Sequence, residues 1–225
     1  MSKALPSFLP LEEIRGEASL GDLAYERLLA LMMSGELPGG TPLQERKLAL
    51  RLNISRTPMR EALARLESKG LVERHLNRYL IVRRLSLREF VEVLNVRKLL
   101  ESEAAALAAV RVPLTEIAAA RQQIAAIQTA SDVPAARGWT VDEALHAMIG
   151  NHCGNEILAE TALELRQRTH MFETRSVPGR LHDSCAEHLA LLQALENRDA
   201  AAARRLMAEH IENVKTSTIE KLTGA

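Results

Sequence analysis

The sequence of 225 residues predicts a mainly α protein, in which a winged helix-turn-helix is followed by an antiparallel all-helical bundle. Aromatic residues make up only 3% of a chain that is 47% hydrophobic. The core must therefore consist of Leu, Ala, Ile, Val and Met, a mixture that favours helices over strands. Three short helical patterns and two short apolar segments fill the first third of the chain, and helical periodicity fills the rest.

The first predicted elements are an arm and a helix. Residues 1–19 contain prolines and little periodicity, which indicates a flexible arm. Apolar residues from Leu20 to Met33 follow a helical stripe, and the Gly- and Pro-rich segment "SGELPGGTPL" then ends the helix. The next pattern, "LQERKLALRL", predicts a short helix over residues 43–52.

A turn, a third helix and a hairpin complete the first domain. Asn53 tolerates a positive φ in the turn, and Ser55 or Thr57 caps the helix that follows. Gly70 predicts the end of that helix. The segment "LVERHLNRYLIVRRL" predicts two short strands joined by a turn near 76–78.

The chain after Ser86 predicts helices only, separated by Pro113, Pro134, Pro178 and several Gly or Asn residues. No strand pattern occurs there, so an antiparallel bundle is expected. The predicted helices span 86–110, 114–129, 134–151, 155–174, 179–196 and 199–221. We therefore expect a flexible arm over 1–19, a winged helix-turn-helix domain over 20–84, and an all-helical domain over 85–225.

Charge is unevenly distributed although the net charge is zero. Residues 43–84 contain eleven Lys or Arg and four Asp or Glu, a net charge of +7, so the remaining residues carry −7. A basic segment next to an acidic remainder indicates two modules with different partners.

The location expected for the protein depends on its first residues, its apolar runs and its cysteines. The sequence has no secretory signal near its start and no apolar run near the ~18 residues that a membrane span needs. Cys153 and Cys185 form no CxxC pair and are expected to be reduced thiols. We expect a cytoplasmic protein without a membrane partner.

The third helix carries the residues expected to read DNA. A helix-turn-helix places the N-terminal end of its second helix in the major groove, where arginine makes bidentate contacts to guanine. Arg56 and Arg60 lie four residues apart on the first turns of that helix, and the hydroxyls of Ser55 and Thr57 suit phosphate. A solvated basic face is the alternative, but the order helix, turn, arginine-led helix and wing favours DNA.

Further DNA contacts are expected from the flanking elements. Arg46, on the preceding helix, should approach the DNA backbone or an adjacent base. His75, Asn77 and Arg78 lie in the wing and are placed for the minor groove or phosphates.

The segment "GELPGGTPLQERKLALRLNISRTPMREALARLESKGLVERHLNRYLIV" closely resembles the N-terminal domain of GntR-family bacterial transcription regulators. The resemblance covers about residues 20–84 and implies that Arg46, Arg56 and Arg60 contact operator DNA. Asn53 and Tyr79 stand where the family often has Gly. Tyr79 argues against a close approach of the wing backbone to DNA.

A second group of residues indicates a metal site in the bundle. Asp142 and His146, in "TVDEALHAMIG", are spaced i, i+4 and project from one helix face. His188 and His210 lie on two other predicted helices. Three imidazoles and one carboxylate suit Zn²⁺, Ni²⁺ or a similar divalent ion. A lone histidine is more often a surface or core residue, and the other four, His75, His152, His170 and His182, are assigned to that class.

The bundle also shows a family resemblance. "FVEVLNVRKLLESEAAALAA", "D...H", "EH..LL.ALENRDA" and "A...M..HI" resemble the FCD effector domain of the FadR-type GntR subgroup, over about residues 86–221. This resemblance implies that residues 85–225 form an effector-binding and dimerisation domain, next to the DNA-binding domain over 20–84. It also implies metal binding by Asp142, His146, His188 and His210. Some members lack the site and bind acyl-CoA or other ligands, but here all four ligand positions are filled.

Arg97, in "VLNVRKLLE", is a candidate for binding the carboxylate of an effector, since a buried guanidinium forms bidentate pairs with carboxylates. A structural pair with Glu101, four residues on, is the alternative. Further polar candidates for the pocket wall are Arg137, Arg166, Arg168 and Asn213.

Taken together, the sequence predicts a homodimeric transcription regulator, a repressor, that binds palindromic double-stranded operator DNA. A small organic acid bound at the divalent metal is the expected effector. One alternative is that the metal itself is the signal. A metal-dependent hydrolase is disfavoured because no side chain is clearly placed as a general base. A non-specific architectural DNA binder is disfavoured by the acidic bundle with its buried polar residues.

Overall fold

The computed structural model describes residues 19–76, 78–130, 133, 135–176 and 180–224, and only the backbone of 135–137 and 171–176. Residues 1–18 of the predicted arm, wing residue Asn77, Pro134 and Pro178 lie outside these residues. Ser19, the last residue of the predicted arm, is the N-cap of the first helix. The chain divides into two compact units between Arg83 and Arg84.

The first unit contains three helices and a small sheet. Its elements are α1 (Leu20–Met33), β1 (Pro42–Leu43), α2 (Glu45–Leu52), α3 (Arg56–Ser68), β2 (Val72–His75) and β3 (Tyr79–Val82). The strands are antiparallel in the order β1-β3-β2. The predicted winged helix-turn-helix is thereby confirmed.

The sheet has one strand more than the predicted hairpin. The sequence assigned residues 43–52 to a helix, but Leu43 pairs with Leu80 in β1 and the helix begins at Glu45. Pro42 lacks an N–H, which an edge strand tolerates because one side of the strand needs no ladder bond. Leu43 is buried, so this short strand also contributes to the core.

The turn between α2 and α3 places α3. Asn53 adopts φ 53°, and the N–H of Ile54 donates to the carbonyl of Ala49. Ser55 is the N-cap of α3, although its side chain makes no capping hydrogen bond. Gly70, at φ 68°, ends the helix as predicted, and the N–H of Leu71 donates to the carbonyl of Leu66.

One face of α3 is buried and the opposite face remains exposed. Met59, Leu63 and Leu66 are almost fully buried and pack in the core formed with α1. Because the helical period places Arg56 and Arg60 away from this face, both guanidinium groups face solvent.

The second unit is an all-helical bundle, as predicted. Its helices are α4 (Leu87–Ala109), α5 (Leu114–Thr129), α6 (Ala135–His152), α7 (Glu156–Ser176), α8 (Leu181–Glu196) and α9 (Ala200–Thr223). Ser86 and Glu89 form a capping box at the start of α4. Helix α4 packs along α9 and α7, and α5 packs against α8. Within the described residues, no helix is both long and apolar enough to cross a membrane.

The core of the bundle contains mostly Leu, Ile and Ala. Phe90, Leu94 and Leu195 are fully buried, or nearly so, and the small alanines of α4 allow neighbouring helices to approach closely. Cys153 and Cys185 are buried and form no disulfide. This packing brings polar side chains of α4, α6, α7, α8 and α9 together in the interior.

Candidate nucleic-acid interface and candidate metal centre

The exposed face of α3 presents two arginines held by one carboxylate. Nε of Arg56 lies 2.8 Å from Glu45 Oε1, and Nε of Arg60 lies 3.3 Å from Glu45 Oε2. Hydrogen bonds from Arg60 and Arg56 lower the pKa of Glu45. Both arginine side chains stay about two-thirds exposed, at 65% and 69%. Arg56 and Arg60 thus form a compact cationic pair available to a ligand.

The other residues proposed for DNA contact are also exposed. Arg46 lies on the first turn of α2, and Ser55 and Thr57 lie at the start of α3. In the wing, the ring of His75 packs against that of Tyr79 at a centroid distance of 5.4 Å, and Arg78 faces solvent. Tyr79 therefore stands on the wing surface beside a candidate contact residue.

Four predicted metal ligands converge inside the bundle. Asp142 and His146 lie on α6, His188 on α8 and His210 on α9. One ligand atom from each lies within 4.8 Å of the others. The Nε2 atoms of His188 and His210 are 3.4 Å apart, and Oδ1 of Asp142 lies 3.5 Å from Nε2 of His188. Helix packing thus assembles a compact N₃O donor set.

The imidazoles of this centre suit a cation. His146, His188 and His210 are buried. Burial lowers the pKa of His146 and lowers that of His188 well below its usual value, so both rings are neutral near pH 7. Among the described residues, Nε2 of His146 is buried yet makes no hydrogen bond. A buried nitrogen without a partner is costly, and coordination to a divalent ion would satisfy it.

A second layer of carboxylates orients two of the histidines. Nδ1 of His146 lies 2.6 Å from Oε2 of Glu101, and Nδ1 of His210 lies 2.7 Å from Oε2 of Glu187. A proton on each Nδ1 leaves the Nε2 lone pair directed towards the centre, as in other metal sites. Neither carboxylate was predicted from the sequence to be part of the site.

Two arginines, Arg97 and Arg166, neutralise the carboxylates of Glu101 and Asp142. Arg97 donates to Glu101 at 2.6 Å and to the hydroxyl of Thr169 at 2.6 Å. Arg166 donates to Asp142 at 2.6 Å and lies 3.4 Å from Glu101. The alternative role predicted for Arg97, an ion pair with Glu101, is therefore present. Contact between Arg97 and an effector stays a prediction.

The charges of these groups are strongly coupled. Burial alone raises the pKa of Glu101 and Asp142, but adjacent positive charges outweigh it. Arg97 and Arg166, together with the hydrogen bond from His146, lower the pKa of Glu101 well below its usual value, and Arg166 does the same for Asp142. Burial disfavours the Arg166 cation, yet Asp142 and Glu101 raise its pKa. Both carboxylates are therefore ionised at neutral pH.

The remaining polar candidates have varied surroundings. Trp139 stacks on His170 with ring centroids 3.3 Å apart, and the guanidinium of Arg166 lies 5.6 Å from the Trp139 ring. Asn213 donates to Glu187, which also receives hydrogen bonds from Arg180. These bonds and that from His210 lower the pKa of Glu187 to about 2, although burial opposes the change. The side chain of Arg137 lies outside the described residues, and Arg168 is half-buried.

A cavity of about 150 Å³ borders the centre. Its wall includes His146, Glu101 and Arg166 as well as apolar side chains such as Leu163 and Met207. The cavity therefore offers room for a molecule of a few non-hydrogen atoms beside one candidate ligand.

Comparisons with known proteins match both units. The family described as "Bacterial regulatory proteins, gntR family" matches residues 20–82, and the FCD domain matches residues 92–213. The Uxu operon transcriptional regulator of Escherichia coli is 32% identical over 209 residues, covering 81% of this chain and 80% of that protein. The HTH-type transcriptional repressor RspR of E. coli is 26% identical over 184 residues and covers 79% of each chain.

A solved structure agrees with the fold. E. coli McbR/YncC superposes with a TM-score of 0.80 at 24% identity, over 91% of this chain and 99% of that chain. At this identity the match concerns the fold alone.

Proposed function

We propose that this chain, which belongs to the GntR family of bacterial regulators and carries an FCD domain, binds a palindromic operator as a homodimer. A small carboxylate, bound at a metal in the helical unit, would cause the protein to release the operator. The family and the named relatives are transcription regulators, so the protein is a DNA-binding regulator and not an enzyme. The finer proposal depends mainly on one observation, the convergence of Asp142 and three buried histidines within 4.8 Å.

Helix α3 is proposed to read each half-site. The paired guanidiniums of Arg56 and Arg60 match the O6 and N7 acceptors of guanine in the major groove. Ser55, Thr57 and Arg46 would bind phosphates nearby, which fixes the position of the helix on the duplex. His75 and Arg78 would extend the contact through the wing. Two copies related by a two-fold axis require a palindromic site.

The metal is proposed to be Zn²⁺ or Ni²⁺, held by Asp142, His146, His188 and His210. FCD domains are known to bind metals, and this N₃O donor set fits either ion. A bound divalent cation would supply positive charge that attracts a carboxylate. Arg97 is proposed as a further contact to that carboxylate.

The charge around the centre supports an anionic effector. Four carboxylates lie in or next to the centre, and three guanidiniums pair with them. The net charge of these groups is −1 when the imidazoles are neutral. The carboxylates are Glu101, Asp142, Glu143 and Glu187, and the guanidiniums are Arg97, Arg166 and Arg180. A divalent ion changes this net charge to +1. A monocarboxylate would then neutralise the interior, where unbalanced charge is costly.

The proposed response is repression relieved by the acid. Effector binding would favour one arrangement of the DNA-binding units over another, and coupling between two sites is typically about 1–3 kcal/mol. This coupling corresponds to about a 5–150-fold loss of operator affinity.

Gel-shift titration tests the DNA assignment. Arg56→Ala and Arg60→Ala should each abolish specific binding to the operator fragment. Arg65→Ala is the matched control, since Arg65 is also exposed and ion-paired but lies near the other end of α3, against Asp22. Unchanged operator affinity in the first two variants would contradict the assignment.

Metal analysis tests the centre. Wild-type protein should bind one divalent ion per chain after reconstitution, and His188→Ala should lose it together with most of the affinity for small acids. Failure of the wild type to bind any ion would contradict the metal site. Operator release by metal alone, without any acid, would instead identify the metal as the signal.

A further inference from the structure

Arg166 pairs with three carboxylates next to the candidate metal centre, those of Glu101, Asp142 and Glu143. It lies on α7, is only 4% exposed, and contacts carboxylates from α4 and α6. Given the metal site proposed above, we propose that Arg166 is a positioning residue, which orients the metal ligands Asp142 and His146 without touching the ion.

The contact with Asp142 separates the functions of its two oxygens. Nη2 of Arg166 lies 2.6 Å from Oδ2, whereas Oδ1 lies 3.5 Å from His188 Nε2 and 3.9 Å from His146 Nε2. Because Oδ2 accepts a charged hydrogen bond, only Oδ1 is presented to the imidazoles. Arg166 would thereby leave Oδ1 as the oxygen of this carboxylate that is available to an ion.

The contact with Glu101 reaches the second ligand. Nη1 of Arg166 lies 3.4 Å from Oε2 of Glu101, and the same oxygen lies 2.6 Å from Nδ1 of His146. Glu101 fixes the His146 ring, and Arg166 helps to keep Glu101 ionised and in place. One guanidinium therefore supports both ligands that α6 contributes.

A positive charge near a cation also has an opposite effect. Arg166 repels a divalent ion through space, so a purely electrostatic role would make its removal strengthen metal binding. An orienting role makes removal weaken binding, and the loss of such supporting partners typically costs about 10–100-fold in metal affinity. The two roles therefore predict opposite signs.

Lysine separates these roles because it keeps the charge but lacks the planar fork that holds two carboxylates at once. We expect Arg166→Lys to weaken Co²⁺ affinity by about 10–100-fold. Arg166→Gln should also weaken it, despite losing the repelling charge. Arg121→Lys is the matched control, since Arg121 forms a 2.8 Å pair with Glu196 on the surface of the same unit.

The experiment is a competition of metal-free full-length protein with a chromophoric chelator for Co²⁺. Circular dichroism of the metal-free variants first establishes that they are folded. If one Arg166 variant does not fold, the other is sufficient for the test. The d–d absorption of the Co²⁺ form provides a second measurement, because freeing Oδ2 allows Asp142 to bind through both oxygens. The absorption should then weaken, as it does when coordination number rises.

Coupling to Asp142 gives the third measurement. In an Asp142→Ala background, Arg166→Lys should change the Co²⁺ affinity much less than in the wild type. A folded Arg166→Lys or Arg166→Gln variant with wild-type or tighter Co²⁺ affinity would overturn the proposal. A wild-type protein that binds no Co²⁺ would instead contradict the metal site itself.

Discussion

Replacement of Glu101 by Gln is expected to destabilise the helical unit strongly. The carboxylate of Glu101 is 5% exposed, lies 2.6 Å from Arg97 Nε and 2.6 Å from His146 Nδ1, and lies near Arg166. Gln keeps the shape but removes the charge, and its amide N–H₂ faces groups that are donors. Two guanidiniums are then left without full compensation.

The size of the effect follows from the burial of this cluster. Breaking a buried ion pair by removing one partner costs about 3–5 kcal/mol. At about 2–4 °C per kcal/mol for a chain of this size, the unfolding temperature should fall by about 6–20 °C. Scanning calorimetry of the metal-free full chain measures this change.

Glu103→Gln provides the matched control on the same helix. Glu103 also pairs with an arginine, Arg204, at 2.6 Å, but both side chains are about half exposed. A pair of this kind contributes less than about 1 kcal/mol, because water screens it. Equal unfolding temperatures for the two variants would refute the reasoning that burial, and not the short distance, makes Glu101 important.

Three further predictions concern pH, metal and DNA. The metal-free protein should lose stability as pH falls from 7 towards 4. The pKa values of His146, His188, Asp142 and Glu101 are depressed in the folded protein, so the unfolded chain binds more protons. In calorimetric scans between pH 7 and 5, the unfolding temperature of a His188→Gln variant should depend less on pH than that of the wild type, and an equal dependence would count against a neutral buried His188. Zn²⁺ at 100 times its Kd should stabilise the wild type by about 2.7 kcal/mol and hence raise the unfolding temperature by about 5–11 °C. The rise should be far smaller in His188→Ala, and the same rise in both proteins would exclude binding at this centre. Glu45→Gln should strengthen binding to a scrambled duplex and reduce the preference for the operator, because it removes a negative charge and frees Arg56 and Arg60. Gel shifts on both duplexes measure this preference, and an unchanged preference would contradict the prediction.

The sequence predicted the local features of the fold well. Asn53 occupies the left-handed position of the predicted turn, Gly70 ends α3, and the helices of the bundle lie within a few residues of their predicted bounds. These features depend on neighbours in the chain, so periodicity and turn chemistry are sufficient. Strand β1 was missed because two residues show no periodicity, and pairing with residues nearly forty positions away creates the strand.

The candidate site shows the same division between local and distant information. The i, i+4 spacing of Asp142 and His146 is visible in the sequence, and Glu101 was noted only as a partner of Arg97. The bond from His146 to Glu101 spans 45 positions, and that from Arg166 to Asp142 spans 24. Helix packing determines such contacts, so no pattern along the chain predicts them. Adjacency of Glu187 to His188 was the one local clue, yet Glu187 bonds to His210.

The stack of Trp139 on His170 gives the protein an internal optical probe. Trp139 is the single tryptophan of the chain, lies on the helix that carries Asp142 and His146, and has the guanidinium of Arg166 5.6 Å from its ring. Indole emission depends on nearby charge and on stacked rings. Any rearrangement of α6 or Arg166 when an ion or acid binds should therefore change the fluorescence of an unlabelled protein, and a single emission spectrum would report on the centre without background from other tryptophans.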